Sequence, residues 1–379
     1  MRGARRARST GRRGIGAVAL LALWLLALAA PGAIADPSLG GLAWSSEALA
    51  VSDWAAGDGG PFAEQSRASE DPAGGEPALS AAASATAPII GTNDAAGWGT
   101  AAARTILNGH ITWDRVELGS ASNTLASSLS DGFKVLAIVN NTNDATPLSQ
   151  VDAGQWGAGV AAELGEDRGI SIAEAANESY LKGGVANPVQ YGRMYMAAIA
   201  DMKAAGIRTP LLFDMIGDYP RGSWSSPTSW SQDSSGGGWL RDAVNAVPGL
   251  ARAILANGMS IHPYGALGED VHDDFGVSSL AAEEAVAHTV LGAIPAVYVT
   301  ELGYDLARCG HPIGACTGRE QATEMQAAYD VFLADPHVAG IWWYQSHDDS
   351  TGRFGFMNDD NTTRPAFGTL SAIATMAGQ

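Results

Sequence analysis

From residue 88 onward, short runs rich in β-branched and aromatic residues alternate with longer segments whose apolar positions recur every three or four residues. The short runs are PIIGTND (88–94), HITWDRVEL (110–118), KVLAIVNNT (134–142), ISIAEAANES (170–179), TPLLFDM (209–215), MSIHPYG (259–265), AVYVTELGY (296–304) and AGIWWYQSHDD (339–349). Segments 189–206, 239–258, 280–292 and 320–335 carry the amphipathic pattern of helices. Pro248 should break the second of them, because it has no amide hydrogen to give and its ring crowds the preceding turn. Strand-like runs alternating with helical ones indicate a parallel sheet with helical crossovers. Eight such runs predict an α/β fold, a (β/α)8 TIM barrel occupying residues 88–379 as one catalytic-type domain. A doubly wound open sheet fits less well, since no glycine-rich phosphate loop follows the first run.

The runs share a polar ending. They close on Asn93 and Asp94, Arg115 and Glu117, Asn140 and Asn141, Asn177 and Glu178, Asp214, His262 and Tyr264, Glu301, and His347 and Asp348. In a (β/α)8 barrel the carboxyl ends of all strands open on one face, so these residues are expected around a single mouth.

The part ahead of the barrel reads differently. Six arginines within residues 1–13 precede the apolar stretch IGAVALLALWLLALAA, and the small-residue step AIA ends at Ala35. This is the layout of a secretory signal peptide over 1–35, and its 16-residue apolar stretch is short for a spanning helix. Residues 36–87 are rich in Ala, Gly, Ser and Pro without sustained periodicity, the composition of a disordered linker or propeptide. An extracellular location is therefore expected, with no stable membrane insertion after cleavage. The only two cysteines, Cys309 and Cys316, are separated by six residues and are expected to form a disulfide that clasps a loop. Two thiols without nearby partners make a poor zinc site.

Composition and charge narrow the partners. The chain has 379 residues, 46% hydrophobic and 16% charged, with 11 Trp, enough to bury a large core. Its formal net charge is −18, and loss of the six leader arginines leaves 16 basic against 40 acidic residues. So acidic a surface repels nucleic acid and anionic lipid and leaves neutral ligands as the expected partners.

Glu178 closes the fourth run and Glu301 the seventh. Strands four and seven face each other across a barrel mouth, so the two carboxyl groups can flank one bond. That arrangement suits glycoside cleavage: one carboxyl protonates the leaving oxygen while the other attacks the anomeric carbon, with retention of configuration at a separation of about 5–5.5 Å. An Asn-Glu dipeptide alone carries little information; its position carries more.

At these positions the sequence resembles the retaining glycoside hydrolases of clan A, whose fourth strand ends in Asn-Glu and whose seventh ends in a lone Glu. EAANES and VTELGY match those places, with further matches at IHPYG, at GIWWYQSHDD and at the closing FGFMNDDNTTRPAF. The resemblance spans 88–379. It implies a secreted, cofactor-free β-glycoside hydrolase working by double displacement on a poly- or oligosaccharide, with Glu178 as acid/base and Glu301 as nucleophile. It also implies Asn177 as the partner of the sugar 2-hydroxyl, Tyr264 as a support for Glu301, and His262 as a lining residue. Asn140, ending the third run, joins the substrate-binding candidates. Trp343 is expected to point inward as an aromatic platform, with Trp342 facing the helices. The clan usually carries an arginine on strand two that supports the nucleophile; Arg115 is the candidate, while another alignment puts Thr112 there and leaves Arg115 on the next loop. Ala176, where the clan often has an aromatic, and Ser179, where Pro is frequent, depart from the pattern. Glu174 reads as a buried supporting partner. Two other classes fit less well: a non-catalytic carbohydrate-binding barrel, and a metal-dependent barrel hydrolase using His262, His272, Glu301, His347 and Asp348, which lacks any close His-x-His or HExxH spacing.

Overall fold

The computed structural model describes residues 87–118, 124–139, 150–167, 169–177, 188–214, 238–263, 277–307, 316–350 and 352–379. The expected leader and linker, together with Asn140, Glu178, Tyr264, His272 and Cys309, lie outside the described residues. No helix among those described is long and apolar enough to cross a membrane.

Eight parallel strands close on themselves in sequence order, β1 (Ile89–Asn93), β2 (Trp113–Glu117), β3 (Lys134–Val139), β4 (Ile170–Ala175), β5 (Leu211–Asp214), β6 (Met259–Ile261), β7 (Val297–Leu302) and β8 (Val338–Trp343). β8 pairs back onto β1, with Ile90 opposite Ile341. The outer layer comprises α1 (Thr100–Asn108), α2 (Leu125–Asp131), α3 (Ala153–Glu166), α4 (Pro188–Ala204), α5 (Gly238–Ala246), α6 (Leu250–Asn257), α7 (Val277–Leu291), α8 (Gly318–Ala334) and α9 (Pro365–Met376). This is the (β/α)8 barrel that the alternating pattern predicts. The stretch around Pro248 gives two helices, α5 and α6, and the turn between them uses Gly249 at φ 82°, a left-handed conformation that glycine adopts without a Cβ penalty.

Helix starts follow local chemistry. Thr317 and Glu320 form a reciprocal capping box at the head of α8, and the Asp152 carboxylate accepts the Gln155 amide at 2.8 Å ahead of α3. α4 is fastened to the sheet by two buried tyrosines. Tyr191 donates its hydroxyl to Ala175 O at 2.8 Å and Tyr195 to Leu211 O at 2.7 Å, so the apolar rings fill the interlayer space while the hydroxyls satisfy strand-end carbonyls.

Strand alternation divides the buried residues into two sets. Residues such as Ile90, Val135, Ala173, Phe213, Val299 and Ile341 face the helices. Trp113, Leu136, Ile172, Leu212 and Trp342 form a separate cluster that fills the lower barrel interior, with Trp113 edge-on to Trp342 at 5.9 Å. The Trp342 indole occupies space left open by Gly340 of its own strand and Gly91 of neighbouring β1. A Cβ at Gly340 would lie 2.6 Å from Trp342 Cζ3, and one at Gly91 would collide with the indole nitrogen.

The tryptophan pair therefore reverses the expected orientation. Trp342 points inward, as part of the apolar plug, and Trp343 belongs to the helix-side core. Trp343 is fully buried and its Nε1 donates to Phe354 O at 3.0 Å, so it offers no ring face to a sugar.

Candidate active site

Above the apolar plug the interior becomes polar, and Arg115 is its centre. Its position on β2 is settled by register, since Arg115 pairs with Asn93 of β1 and Leu136 of β3. Thr112 precedes the strand and its hydroxyl lies 3.0 Å from the side-chain amide of Gln379, which removes the alternative alignment.

The guanidinium bonds four side chains from three strands and their ends, β1, β4 and β7. Arg115 Nε donates to Glu174 Oε2 at 2.7 Å, Nη1 to Asn93 Oδ1 at 2.9 Å and to Glu301 Oε1 at 2.6 Å, and Nη2 to Asn177 Oδ1 at 2.8 Å. A guanidinium can only donate, so these contacts fix the amide oxygens of Asn93 and Asn177 toward Arg115. Arg115 is itself nearly fully buried. Burial alone would lower its pKa, but the charges of Glu174 and then Glu301 outweigh that and raise it, so it stays a permanent cation.

Glu174 on β4 is fully buried. Burial pushes its carboxyl up; the Arg115 charge, with hydrogen bonding and charge from His262, more than compensates and holds it at about 2. Its second oxygen accepts the Thr300 hydroxyl at 2.9 Å. That hydroxyl lies 3.0 Å from His262 Nε2, which is also 3.4 Å from Arg115 Nη2. His262 follows β6, and its Nδ1 lies 3.8 Å from Glu301 Oε2. The expected supporting partner Glu174 thus holds both Arg115 and, through Thr300, His262.

Glu301 reaches this cluster because β7 departs from strict alternation. Val299 pairs with Ile341 and Leu302 with Trp343, so three residues of β7 span the interval that two residues of β8 span. Val299 and Leu302 both face the helices, and the two residues between them, Thr300 and Glu301, both turn into the barrel. A bulge of this kind re-aims a side chain. The end of β4 uses a different device. Ala176 has φ 67°, in the left-handed region, and this turn immediately precedes Asn177. A non-glycine residue there costs about 1 kcal/mol or more, and the small methyl group keeps that cost low, in line with the absence of an aromatic at this position.

Around this centre the residues after β1 and β8 form a rim. Asp94, also left-handed at φ 57°, has its carboxyl pushed up to about 6 by burial and by Asp349, Glu117 and Glu301, against the pull of Arg115. Trp98, in the 3-10 turn Ala95–Trp98, is 39% exposed and stacks on His347 with centroids 4.4 Å apart and planes 19° apart. Tyr344 is half-buried, donates to Asp349 Oδ2 at 3.2 Å and lies edge-on to Phe354. Asp348 is engaged by Arg364 through two hydrogen bonds of 2.8 and 2.7 Å, and His347 Nε2 lies 2.9 Å from Asn361 Oδ1. These two residues are held by the segment leading into α9.

The structure therefore brings Arg115, Asn177, His262 and Glu301 together, and it removes Trp343. Cys316 is buried and is not a free thiol, and it lies 3.7 Å from the Tyr304 hydroxyl. Sequence reasoning did not single out Asn93, Thr300, Trp98 or Tyr344 as site residues. Asn93 was legible as a strand-end polar residue; Thr300 was hidden because alternation puts it and Glu301 on opposite faces.

No protein-family profile matches the chain, and neither does any curated protein sequence. Solved structures do. A glucosidase from Croceicoccus marinus aligns at TM-score 0.55 and 14% identity, over 77% of this chain and 68% of the other. A GH5_18 protein from Streptomyces cattleya, in complex with GlcNAc, aligns at TM-score 0.50 and 14% identity over 78% and 82%. A GH5_18 protein from Bifidobacterium longum subsp. infantis aligns at TM-score 0.50 and 13% identity over 77% and 79%. At these identities the likeness establishes a common architecture, the eight-stranded parallel barrel.

Proposed function

We propose that the protein is a secreted retaining β-glycoside hydrolase that cleaves a poly- or oligosaccharide by double displacement. The observation that carries this reading is Glu301, re-aimed into the mouth by the β7 bulge and bound at 2.6 Å by a permanent buried cation. Arg115 fixes the carboxylate's orientation and sets a positive charge against the oxygen it binds. Glu301 attacks the anomeric carbon, and Glu178, next along the chain after Asn177, protonates the departing oxygen and then takes a proton from water. Two carboxylates, Glu174 and Glu301, face the single guanidinium, so the centre has an excess negative charge that complements the oxocarbenium character of the transition state.

The Asn177 oxygen is committed to Arg115, so its Nδ2 is the end suited to a sugar hydroxyl. Trp98 replaces Trp343 as the aromatic platform, because it keeps an exposed face on the carboxyl-end rim and is stiffened by His347. The structural neighbours named above, a glucosidase and a protein holding GlcNAc, support a carbohydrate ligand. Tyr264 and Asn140 complete the substrate-binding set. Export by the 1–35 leader, a linker over 36–87 and a Cys309–Cys316 clasp belong to the same reading, which places the enzyme outside the cell.

The test is direct. Glu301→Ala abolishes turnover on a panel of nitrophenyl glycosides and polysaccharides while far-UV circular dichroism stays native; near-normal activity overturns the reading. Azide restores turnover of Glu178→Ala by replacing water on the glycosyl-enzyme, and the product formed, a β-glycosyl azide, identifies Glu178 as the acid/base.

A further inference from the structure

At the amino-terminal rim of the barrel, opposite the mouth, three side chains outside the reaction centre converge. Glu284 lies in α7, Asp335 caps the end of α8, and His337 immediately precedes β8. His337 Nδ1 is 3.2 Å from Glu284 Oε1 and 3.3 Å from Asp335 Oδ1, and the three potential ligand atoms all lie within 4.8 Å of one another. We propose that Glu284, Asp335 and His337 form a binding site for a divalent transition-metal ion of the Zn2+ class, which joins α7 to the α8–β8 turn.

Three observations support the site. Glu284 is 8% exposed, yet its Oε1, aimed into the cluster, has no hydrogen-bond partner. A buried carboxylate oxygen left in that state is costly, and a cation supplies what the protein does not. His337 Nδ1 is likewise buried and without a hydrogen-bond partner despite standing between two carboxylates, so the contacts have the proximity of ligands without the angles of hydrogen bonds. The spacing from the imidazole nitrogen to each carboxylate oxygen also fits. Bonds of about 2.0–2.1 Å to nitrogen and oxygen in a tetrahedron place neighbouring ligand atoms about 3.3 Å apart. One imidazole with two carboxylates is a donor set for Zn2+ and its first-row neighbours, whereas Ca2+ and Mg2+ favour all-oxygen shells.

The backbone holds the ligands in place. His337 N donates to Asp335 Oδ1 at 2.8 Å, and His337 O accepts Val297 N at 2.8 Å, so two of the ligands are tied to each other and one of them to β7. Burial and the neighbouring Asp335 push the Glu284 carboxyl up to about 7, against the pull of His337; a bound dication displaces that proton and relieves the repulsion. With three protein ligands a water molecule completes the shell.

The test uses full-length protein stripped with a chelator and titrated with ZnCl2 by calorimetry. One saturable site per chain is expected, together with a rise in Tm, and Co2+ in place of Zn2+ should give the visible absorption of a four-coordinate ion. His337→Ala and Glu284→Gln, each with native circular dichroism in chelator, should weaken binding by about tenfold or more. Glu284→Gln keeps side-chain volume and serves as the deciding variant where His337→Ala does not fold. Absence of saturable Zn2+ binding, or an isotherm that both variants leave unchanged, overturns the proposal. Chelator should lower Tm without abolishing glycoside turnover, because the site is at the far rim from Arg115 and Glu301.

Discussion

A single buried cation organises the mouth, and its geometry sets the outcome of substitution. Arg115 serves Glu174, Asn93, Glu301 and Asn177 at once through a planar fork, which a lysine ammonium cannot reproduce. Arg115→Lys should lower kcat roughly 100-fold and cost about 2–3 kcal/mol in urea unfolding, since the charge survives but buried acceptors lose their donors. Glu174 gives the pH signature. Its folded-state pKa of about 2 lies below the ordinary carboxylate value, so its contribution to stability is fully present above about pH 4.5 and is lost as pH falls toward 2. Urea midpoints measured between pH 5 and pH 3 should therefore fall less steeply for Glu174→Gln than for the parent. Trp98→Ala should raise KM with little change in kcat, because a stacking platform holds sugar without touching the reacting atoms; an unchanged KM on every substrate would remove it from the cleft.

At the scale of elements, much was readable from pattern. Seven of the eight apolar runs contain one barrel strand each, the eighth covers all of β8 but Val338, and Pro248 separates two helices as its missing amide requires. The readings that failed did so where alternation breaks or its phase is ambiguous. Two adjacent tryptophans on β8 look equivalent in sequence, and only the glycines at 91 and 340 on the inner face, invisible as a pair until the strands are in register, make room for Trp342 and not Trp343. Arg115 was recognisable as a candidate but not as the hub, since its partners come from positions 93, 174, 177 and 301. Gly340→Ala tests the packing reading: the added methyl meets the Trp342 ring and should cost about 1–3 kcal/mol by chemical denaturation, with strand content retained.

For the whole molecule, the barrel separates its tasks along its axis. An apolar plug of Trp113, Leu136, Ile172, Leu212 and Trp342 fills the lower interior, so the polar cluster above it is a pocket floor and not a channel. Net charge adds a constraint on substrates. With 40 acidic and 22 basic residues, the protein should act on neutral glycans with turnover insensitive to salt, and polyuronides should bind only as ionic strength rises and screens the repulsion. Comparing a neutral glucan with a polyuronide across a salt series checks this.

The surplus residue in β7 makes the reaction centre sensitive to length as well as to identity. Removing Thr300 would restore regular pleating with the glutamate as the one inward residue between Val299 and Leu302, but it would take away the hydroxyl that stands between Glu174 and His262, because only the surplus position lets two adjacent side chains enter the barrel. In this strand, counting decides function: one extra position lets two consecutive side chains share a face that strict alternation would give to only one of them.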